Sequence, residues 1–150
     1  MIDLSVLESD TVNGRCPVGQ EALGKYGETV LADCGITDAD VNIVFIGDYE
    51  MSDLNERFKG RSGTTDVLSF QLSGDHELML TGEVYVSLPR AEIQAGEYGV
   101  TFPEETVRLV THGLLHLAGH VHDTDEMLDA MTRDTERFLA QWRDGEEPLQ

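Results

Sequence analysis

Cysteine is scarce in this chain of 150 residues, and no long apolar run is present. The two cysteines, Cys16 and Cys34, form no CxxC pair, which argues against a disulfide framework and against a thiolate zinc site. No apolar run approaches the roughly 18 residues of a membrane-spanning helix. The N-terminal stretch MIDLSVLESD carries acidic residues and no basic segment, unlike a secretory signal. These absences predict a protein of the reducing cytoplasm that has no membrane partner.

Basic residues are also few, since ten Lys and Arg residues face 29 Asp and Glu residues and the formal net charge is −19. A generic acidic surface and adaptation to a salty cytoplasm both account for this charge. Either way, the charge opposes binding to a polyanion, so a nucleic-acid substrate would need a local basic patch or screening by salt. The densest basic cluster consists of Arg57, Lys59 and Arg61.

The remaining composition, with 40% hydrophobic and 26% charged residues, is typical of a globular protein. The length predicts a single domain over residues 1–150, with a frayed tail at 143–150. Apolar periodicity and end signals predict about four strands and about five helices in the order βαβαββααα. The strands are predicted at residues 2–7, 41–47, 67–72 and 82–88, and the helices at 17–35, 48–58, 89–99, 102–119 and 123–142. This order favours a mixed α+β fold over a doubly wound nucleotide-binding fold.

Four of the five histidines lie in the stretch THGLLHLAGHVHDTDEM, namely His112, His116, His120 and His122. The first two are at i and i+4 on a predicted helix, about 6 Å apart, and can bind one metal ion together. On a continuous helix His120 would lie about 12 Å beyond His112, out of reach of the same ion. Gly119 can adopt a positive φ and end the helix, which would let His122 approach the ion instead.

The resulting spacing, HxxxHxxGxxH, is that of the metzincin peptidases, with one difference. Gly113 stands where those enzymes carry the glutamate that activates water. A metal site without that glutamate lacks the usual general base for peptide hydrolysis. Ordinary zincin proteolysis is therefore disfavoured, and the general base is left open.

Two long stretches occur in order along the chain, KGRSGTTDVLSF at 59–70 and HGLLHLAGHVHD at 112–123. They resemble RGxxxxTDVLSF and HGxLHLxGxDH, two motifs of the YbeY family of bacterial metal-dependent endoribonucleases. The stretch TGEVYVS at 81–87 resembles a third motif of that family. The resemblance extends from about residue 41 to residue 139.

The resemblance implies a zincin-like α+β fold and one zinc ion bound by His112, His116 and His122, with His120 outside the ligand set. It implies hydrolysis of single-stranded RNA in the cytoplasm, in maturation of the 16S rRNA 3′ end and in ribosome quality control. The implied partners are ribosomal RNA and the small ribosomal subunit, together with ribosomal proteins or assembly GTPases. Lys59 and Arg61 are the expected phosphate contacts.

Four positions depart from the family pattern: Lys59, Val121, Gln71, which replaces a proline after the SF pair, and Glu83, which replaces a strand aspartate conservatively. Lys59 replaces the family's functional arginine, which keeps the charge but loses the bidentate fork for phosphate. Val121 replaces an aspartate that precedes the last histidine, and Asp123 could supply that carboxylate instead. Thr65, Asp66 and Ser69 have two interpretations, a turn into a strand with Ser69 facing solvent or a wall of an RNA groove.

Two other functions are compatible with these residues. One is a zincin-like metalloprotease that uses Glu83 or Glu126 as its base. The other is a zinc-bearing ribosome-assembly factor with little catalysis, which is motivated by the departures at Lys59 and Val121.

Overall fold

The computed structural model describes residues 1–60, 63–74, 77–120 and 124–146, with side chains as far as Arg143. In this part of the chain, four strands and five α-helices follow one another in the predicted order, with a 3₁₀ turn at Asp10–Val12. The strands are β1 (Ile2–Glu8), β2 (Ala39–Ile46), β3 (Val67–Gln71) and β4 (Leu80–Ser87). The helices are α1 (Gln20–Asp33), α2 (Asp48–Lys59), α3 (Leu88–Tyr98), α4 (Phe102–Leu117) and α5 (Asp125–Glu146).

Two helix ends differ from the predicted ones by about three residues or more. Helix α1 begins at Gln20 and not at Pro17, because Gly19 has extended backbone angles and is the N-cap. Helix α5 continues past Trp142 to Glu146, within the tail that was expected to fray. Residues 147–150 of that tail lie outside the described residues, and a single domain over the whole chain remains a prediction.

The four strands form one mixed sheet in the order β1-β2-β4-β3. Strands β1, β2 and β4 are parallel, and β3 is antiparallel to β4 at the end of the sheet. In the last pair, Ser69 lies opposite Val84 and Gln71 lies opposite Gly82. The mixed α+β fold predicted from the sequence is confirmed.

The two faces of the sheet are covered unequally. Side chains alternate between the faces along each strand, and the larger core contains Val41, Ile43 and Phe45 of β2 with Val84 and Val86 of β4. Helices α1 and α4 pack on this face, and α5 packs against α4. The opposite face holds a smaller cluster that consists of Ile46, Met51 and Leu68 with the half-buried Val44, Leu54, Phe70 and Tyr85.

Helix α4 lies at the centre of the larger core. Its N-terminus has the expected signals, because the Thr101 hydroxyl accepts a hydrogen bond from the Glu104 amide and Pro103 lies in the first turn. Ten of its residues are buried: Glu105, Thr106, Val107, Leu109, Val110, Thr111, Gly113, Leu114, Leu115 and Leu117. Since full burial of one Val or Leu side chain contributes about 1.5–3 kcal/mol, this packing fixes the helix firmly against the sheet.

A buried hydrogen bond joins α1 to the turn of α4 that precedes the first histidine. The Thr111 hydroxyl donates to the Val107 carbonyl at 2.7 Å, so the hydroxyl of Tyr26 donates to Thr111, at 2.5 Å. Burial raises the pKa of Tyr26 to about 12, because the phenolate would lose its hydration.

Stability is therefore expected to fall at alkaline pH through Tyr26. Between pH 10 and 12 the phenol ionises in the unfolded chain and not in the folded chain. The contribution of Tyr26 to the free energy of unfolding is therefore complete below pH 10 and is lost as pH rises. Through this one group, the free energy of unfolding falls by at most about 1.4 kcal/mol per pH unit. Urea unfolding of the wild type and of Tyr26→Phe between pH 9 and 11.5 measures it as the difference between the two proteins. Parallel curves for the two proteins would contradict this assignment.

Candidate active site

His112 and His116 lie one turn apart on α4, as the i, i+4 spacing predicts. Their ring centroids are 4.8 Å apart, and the ring planes meet at 66°. Both side chains are half-buried. Helix α4 thus presents two imidazoles side by side, partly shielded from solvent.

The two histidines line an open cleft of about 430 Å³ between α4 and β3. We call it the histidine cleft. Its lining includes His112, His116, Lys59, Asp66, Ser69 and Gln71. The cleft therefore combines two potential metal ligands, one cation and one carboxylate.

The donor set suits zinc, which accepts neutral imidazole nitrogen in catalytic sites and normally takes three protein ligands there. His112 and His116 supply two such ligands from one helix face. Within residues 1–60, 63–74, 77–120 and 124–146, no three His, Cys, Asp or Glu side chains are grouped to hold a metal ion. The third predicted ligand, His122, lies outside the described residues, as do Val121 and Asp123.

Gly119 ends the helix where the sequence predicts. Its φ is 101°, in the region that side chains with a Cβ rarely adopt. The amide of His120 then donates to the Leu115 carbonyl at 2.9 Å, and the Gly119 amide donates to the His116 carbonyl at 3.1 Å. These bonds close the last turn and send the chain away from the helix axis immediately before residue 121.

His120 has a partner on α5. Its Nε2 lies 3.0 Å from Oδ2 of Asp134. Arg137 extends the contact, at 3.6 Å from Asp134 and 2.8 Å from Asp33 of α1. This arrangement gives His120 a role in joining the end of α4 to α5, and its exclusion from the ligand set stays a prediction.

Gly113 lies against the sheet. An ideal Cβ at this position would be 2.4 Å from Cγ1 of Val84 and 3.2 Å from Cγ2 of Val67. In the sequence, Gly113 is notable only as the absence of a peptidase glutamate. The packing gives a second reason for glycine, because α4 lies so close to β3 and β4 here that any side chain would have to displace Val84.

Ser69 is half-buried and its hydroxyl is directed at α4, so the interpretation that it points away to solvent was wrong. Its hydroxyl donates to the Gly113 carbonyl at 2.9 Å, and the side chain lines the histidine cleft. Asp66 is also held in place, since its Oδ2 accepts from Nε2 of Gln94 at 3.2 Å and its carbonyl accepts from the Ser87 amide at 3.0 Å. The turn into β3 therefore forms one wall of the cleft.

Lys59 is the residue of the basic cluster that the structure places at the cleft. It ends α2, and its Nζ lies 5.4 Å from the centroid of the Phe70 ring. Arg57 lies 3.5 Å from Asp53 on the same helix and is not among the cleft residues. Arg61 lies outside the described residues.

The geometry agrees with comparisons to known proteins. Residues 18–143 match the model of the endoribonuclease YbeY family. The chain belongs to this family. Endoribonuclease YbeY of Pelotomaculum thermopropionicum is 40% identical over 108 residues, which cover 68% of this chain and 71% of that protein. Endoribonuclease YbeY of Thermotoga maritima is 34% identical over 124 residues, 79% of each chain.

A solved structure is similar over nearly the whole chain. The solution structure of TM1509 from Thermotoga maritima aligns with a TM-score of 0.63 and 30% identity, covering 97% of this chain and 93% of TM1509. The predicted resemblance to the YbeY family is thus confirmed, and the chain is a member of an endoribonuclease family. None of the helices in the described ranges has the length and apolarity needed to cross a membrane.

The two glutamates considered as a protease base do not line the histidine cleft of this YbeY family member. Glu83 lies in β4 and lines a separate groove, where it accepts a hydrogen bond from the Tyr85 hydroxyl at 3.0 Å. Glu126 is exposed in the first turn of α5. Among the described lining residues, the carboxylate of the cleft is Asp66. From the sequence, Asp66 was interpreted only as a turn or wall residue, although the TDVLSF motif contains it.

Proposed function

We propose that this chain is a zinc-dependent endoribonuclease that cleaves single-stranded RNA in the histidine cleft. The observation that carries the proposal is the pair of imidazoles, His112 and His116, lining one open cleft with the Lys59 ammonium. Membership of an endoribonuclease family gives this arrangement its substrate class.

His112, His116 and His122 would hold one zinc ion. When bound, such an ion supplies Lewis acidity towards a phosphoryl oxygen and lowers the pKa of a water molecule towards neutrality. Lys59 binds a phosphate of the substrate strand and offsets the charge that develops during hydrolysis. Arg61, two residues later in the sequence, adds a second cation. Asp66, which Gln94 holds by a hydrogen bond, is the first residue to test as a proton acceptor.

The biological role that we propose follows from the family resemblance. The enzyme would act in the cytoplasm on ribosomal RNA, in maturation of the 16S rRNA 3′ end and in ribosome quality control. Its partners would be the small ribosomal subunit with ribosomal proteins or assembly GTPases. The formal charge of −19 repels RNA at long range, which favours a substrate presented by the ribosomal particle or a salty solution.

Lys59→Ala, which removes the ammonium group, is expected to lower RNA cleavage about 10- to 100-fold, because a hydrogen bond to a charged group contributes about 1.5–3 kcal/mol. Lys59→Arg should retain activity, since arginine keeps the charge and adds the bidentate fork. The measurement is kcat/KM on a labelled single-stranded RNA with metal-loaded protein, at several salt concentrations.

Lys25→Ala is the matched control for this experiment. It makes the same change of charge at an exposed site on α1, 3.5 Å from Glu21, and should leave cleavage unchanged. Equal losses of kcat/KM in the Lys59 and Lys25 variants would contradict a specific role of Lys59 in phosphate binding. Intact RNA together with a cleaved peptide library would favour the protease, and binding to small subunits without cleavage would favour the assembly factor.

A further inference from the structure

A second groove lies beside the histidine cleft, on the opposite face of β3. It has a volume of about 290 Å³, and its lining includes Leu54, Phe58, Phe70, Leu72, Glu83 and Tyr85. We call it the aromatic groove. Of the residues assigned to catalysis or metal binding above, the four that the structure describes do not line it: His112, His116, Lys59 and Asp66.

Three aromatic rings follow one another along this groove. The Phe58 and Phe70 centroids are 5.5 Å apart, the Phe70 and Tyr85 centroids are 5.8 Å apart, and both pairs are edge to face. The Phe58 side chain is 62% exposed. Edge-to-face pairing fixes the rings, so an exposed aromatic surface is held ready for a planar ligand.

The aromatic groove adjoins the histidine cleft, and Gln71 lines both. Successive side chains of a strand point to opposite faces, so Ser69 lies in the cleft while Phe70 lies in the groove. In the described part of the chain, β3 is the last strand of the sheet. Lys59 also connects the two sites, because its Nζ lies over the Phe70 ring and its side chain lines the cleft.

These features match one nucleotide of a single-stranded RNA. A base would stack on the exposed ring of Phe58, as bases do on aromatic side chains of proteins that bind single strands. The adjacent phosphate would meet Lys59 and enter the histidine cleft. An apolar side chain of a protein partner would form neither a hydrogen bond nor an ion pair with Lys59 and Glu83.

Glu83 restricts which base fits. The Tyr85 hydroxyl donates to its Oε1 at 3.0 Å and holds the carboxylate at the groove, and each carboxylate oxygen can accept more than one hydrogen bond. Guanine presents two neighbouring donors on its Watson–Crick edge, N1–H and the N2 amino group. Adenine and cytosine present a donor next to an acceptor, and uracil presents one donor between two carbonyls.

We propose that the aromatic groove is a base-binding subsite that takes a guanine next to the phosphate to be cleaved. The subsite rests on the proposed function, since it assumes that an RNA strand lies in the histidine cleft. It adds a specificity determinant, Glu83, and a stacking residue, Phe58, to that function.

The test uses a labelled ten-nucleotide oligouridine that carries one guanosine, inosine or adenosine. Binding is measured by fluorescence anisotropy with chelator-treated protein, and cleavage positions are mapped with zinc-loaded protein. We expect the guanosine oligonucleotide to bind best, inosine to lose affinity because it lacks the N2 amino group, and cleavage to lie at a fixed distance from the guanosine. Phe58→Ala should weaken binding by about 5- to 100-fold.

Two variants separate stacking from hydrogen bonding. Glu83→Gln should bring the guanosine-to-inosine ratio close to one, since an amide cannot accept from both donors of guanine. Tyr49→Ala is the matched control for Phe58→Ala, because Tyr49 is an 89% exposed aromatic residue at the other end of α2 and should leave binding unchanged.

The outcomes distinguish the subsite from the proposed function. Cleavage that depends on Lys59 but not on guanosine, with Phe58→Ala equal to Tyr49→Ala, would overturn the subsite alone. Absence of any cleavage would overturn the proposed function, and a titration with guanosine 5′-monophosphate followed by amide NMR shifts would still test the groove. Shifts at Phe58 and Glu83 with this nucleotide, and weaker ones with inosine 5′-monophosphate, would support the subsite. Shifts with neither would overturn it.

Discussion

Replacement of His116 by alanine is expected to remove the bound metal, so that purified protein falls from about one zinc ion per chain to none. Two remaining ligands do not hold a catalytic zinc ion that normally takes three. The loss of affinity should exceed the roughly 10- to 100-fold that removal of an outer hydrogen-bond partner costs. Metal analysis of the purified variant by mass spectrometry measures the result, with circular dichroism to show that the protein is folded.

The other histidines of the cluster provide matched comparisons. His112→Ala and His122→Ala should lose zinc in the same way, whereas His120→Ala should retain it. His120 is paired with Asp134, and both side chains are partly exposed, at 29% and 34%. The substitution should therefore cost at most about 1 kcal/mol of stability. If His120→Ala lost zinc and His122→Ala kept it, the ligand assignment would be wrong.

The order of strands and helices follows from local signals, and this is why the sequence predicts it well. Strand β2 is a run of β-branched and aromatic residues followed by Gly47, and α4 has Pro103 in its first turn and stops before Gly119. Each of these signals acts within a few residues, so tertiary contacts are not needed to interpret it. The positions of His112 and His116 relative to each other have the same local origin, because one helix carries both.

Features that depend on distant residues were missed. The sequence could not decide between a solvent-facing Ser69 and a groove wall, because the acceptor of its hydroxyl, the Gly113 carbonyl, is 44 residues away in the sequence. The aromatic groove combines Phe58, Phe70 and Tyr85 from three separate elements, and no spacing along the chain indicates that they meet. The order β1-β2-β4-β3 likewise depends on pairing between strands that are not consecutive.

Gly113→Glu, which restores the peptidase glutamate, is expected to prevent folding and not to create a protease. The new Cβ would already lie 2.4 Å from Cγ1 of Val84, which is fully buried. The carboxylate would then be placed in the core between α4 and the sheet, where an unpaired charge costs several kcal/mol. This cost is a large part of the roughly 5–15 kcal/mol that typically stabilises a domain. Loss of a cooperative thermal transition, together with loss of zinc, is the expected measurement.

Smaller substitutions test the same contact in a protein that still folds. Gly113→Ala should cost about 1–3 kcal/mol through overpacking, although alanine in a helix interior normally gains about 0.5–1 kcal/mol over glycine. Gly96→Ala should show that normal gain, because Gly96 lies in α3 and a Cβ added there would have no atom within 4 Å. Adding Val84→Ala to Gly113→Ala should recover part of the loss, with a coupling energy of about 0.5–3 kcal/mol. If the effects of Gly113→Ala and Val84→Ala on stability were additive, steric contact with Val84 would not be the reason for glycine at position 113. The missing peptidase glutamate would then again be its only explanation.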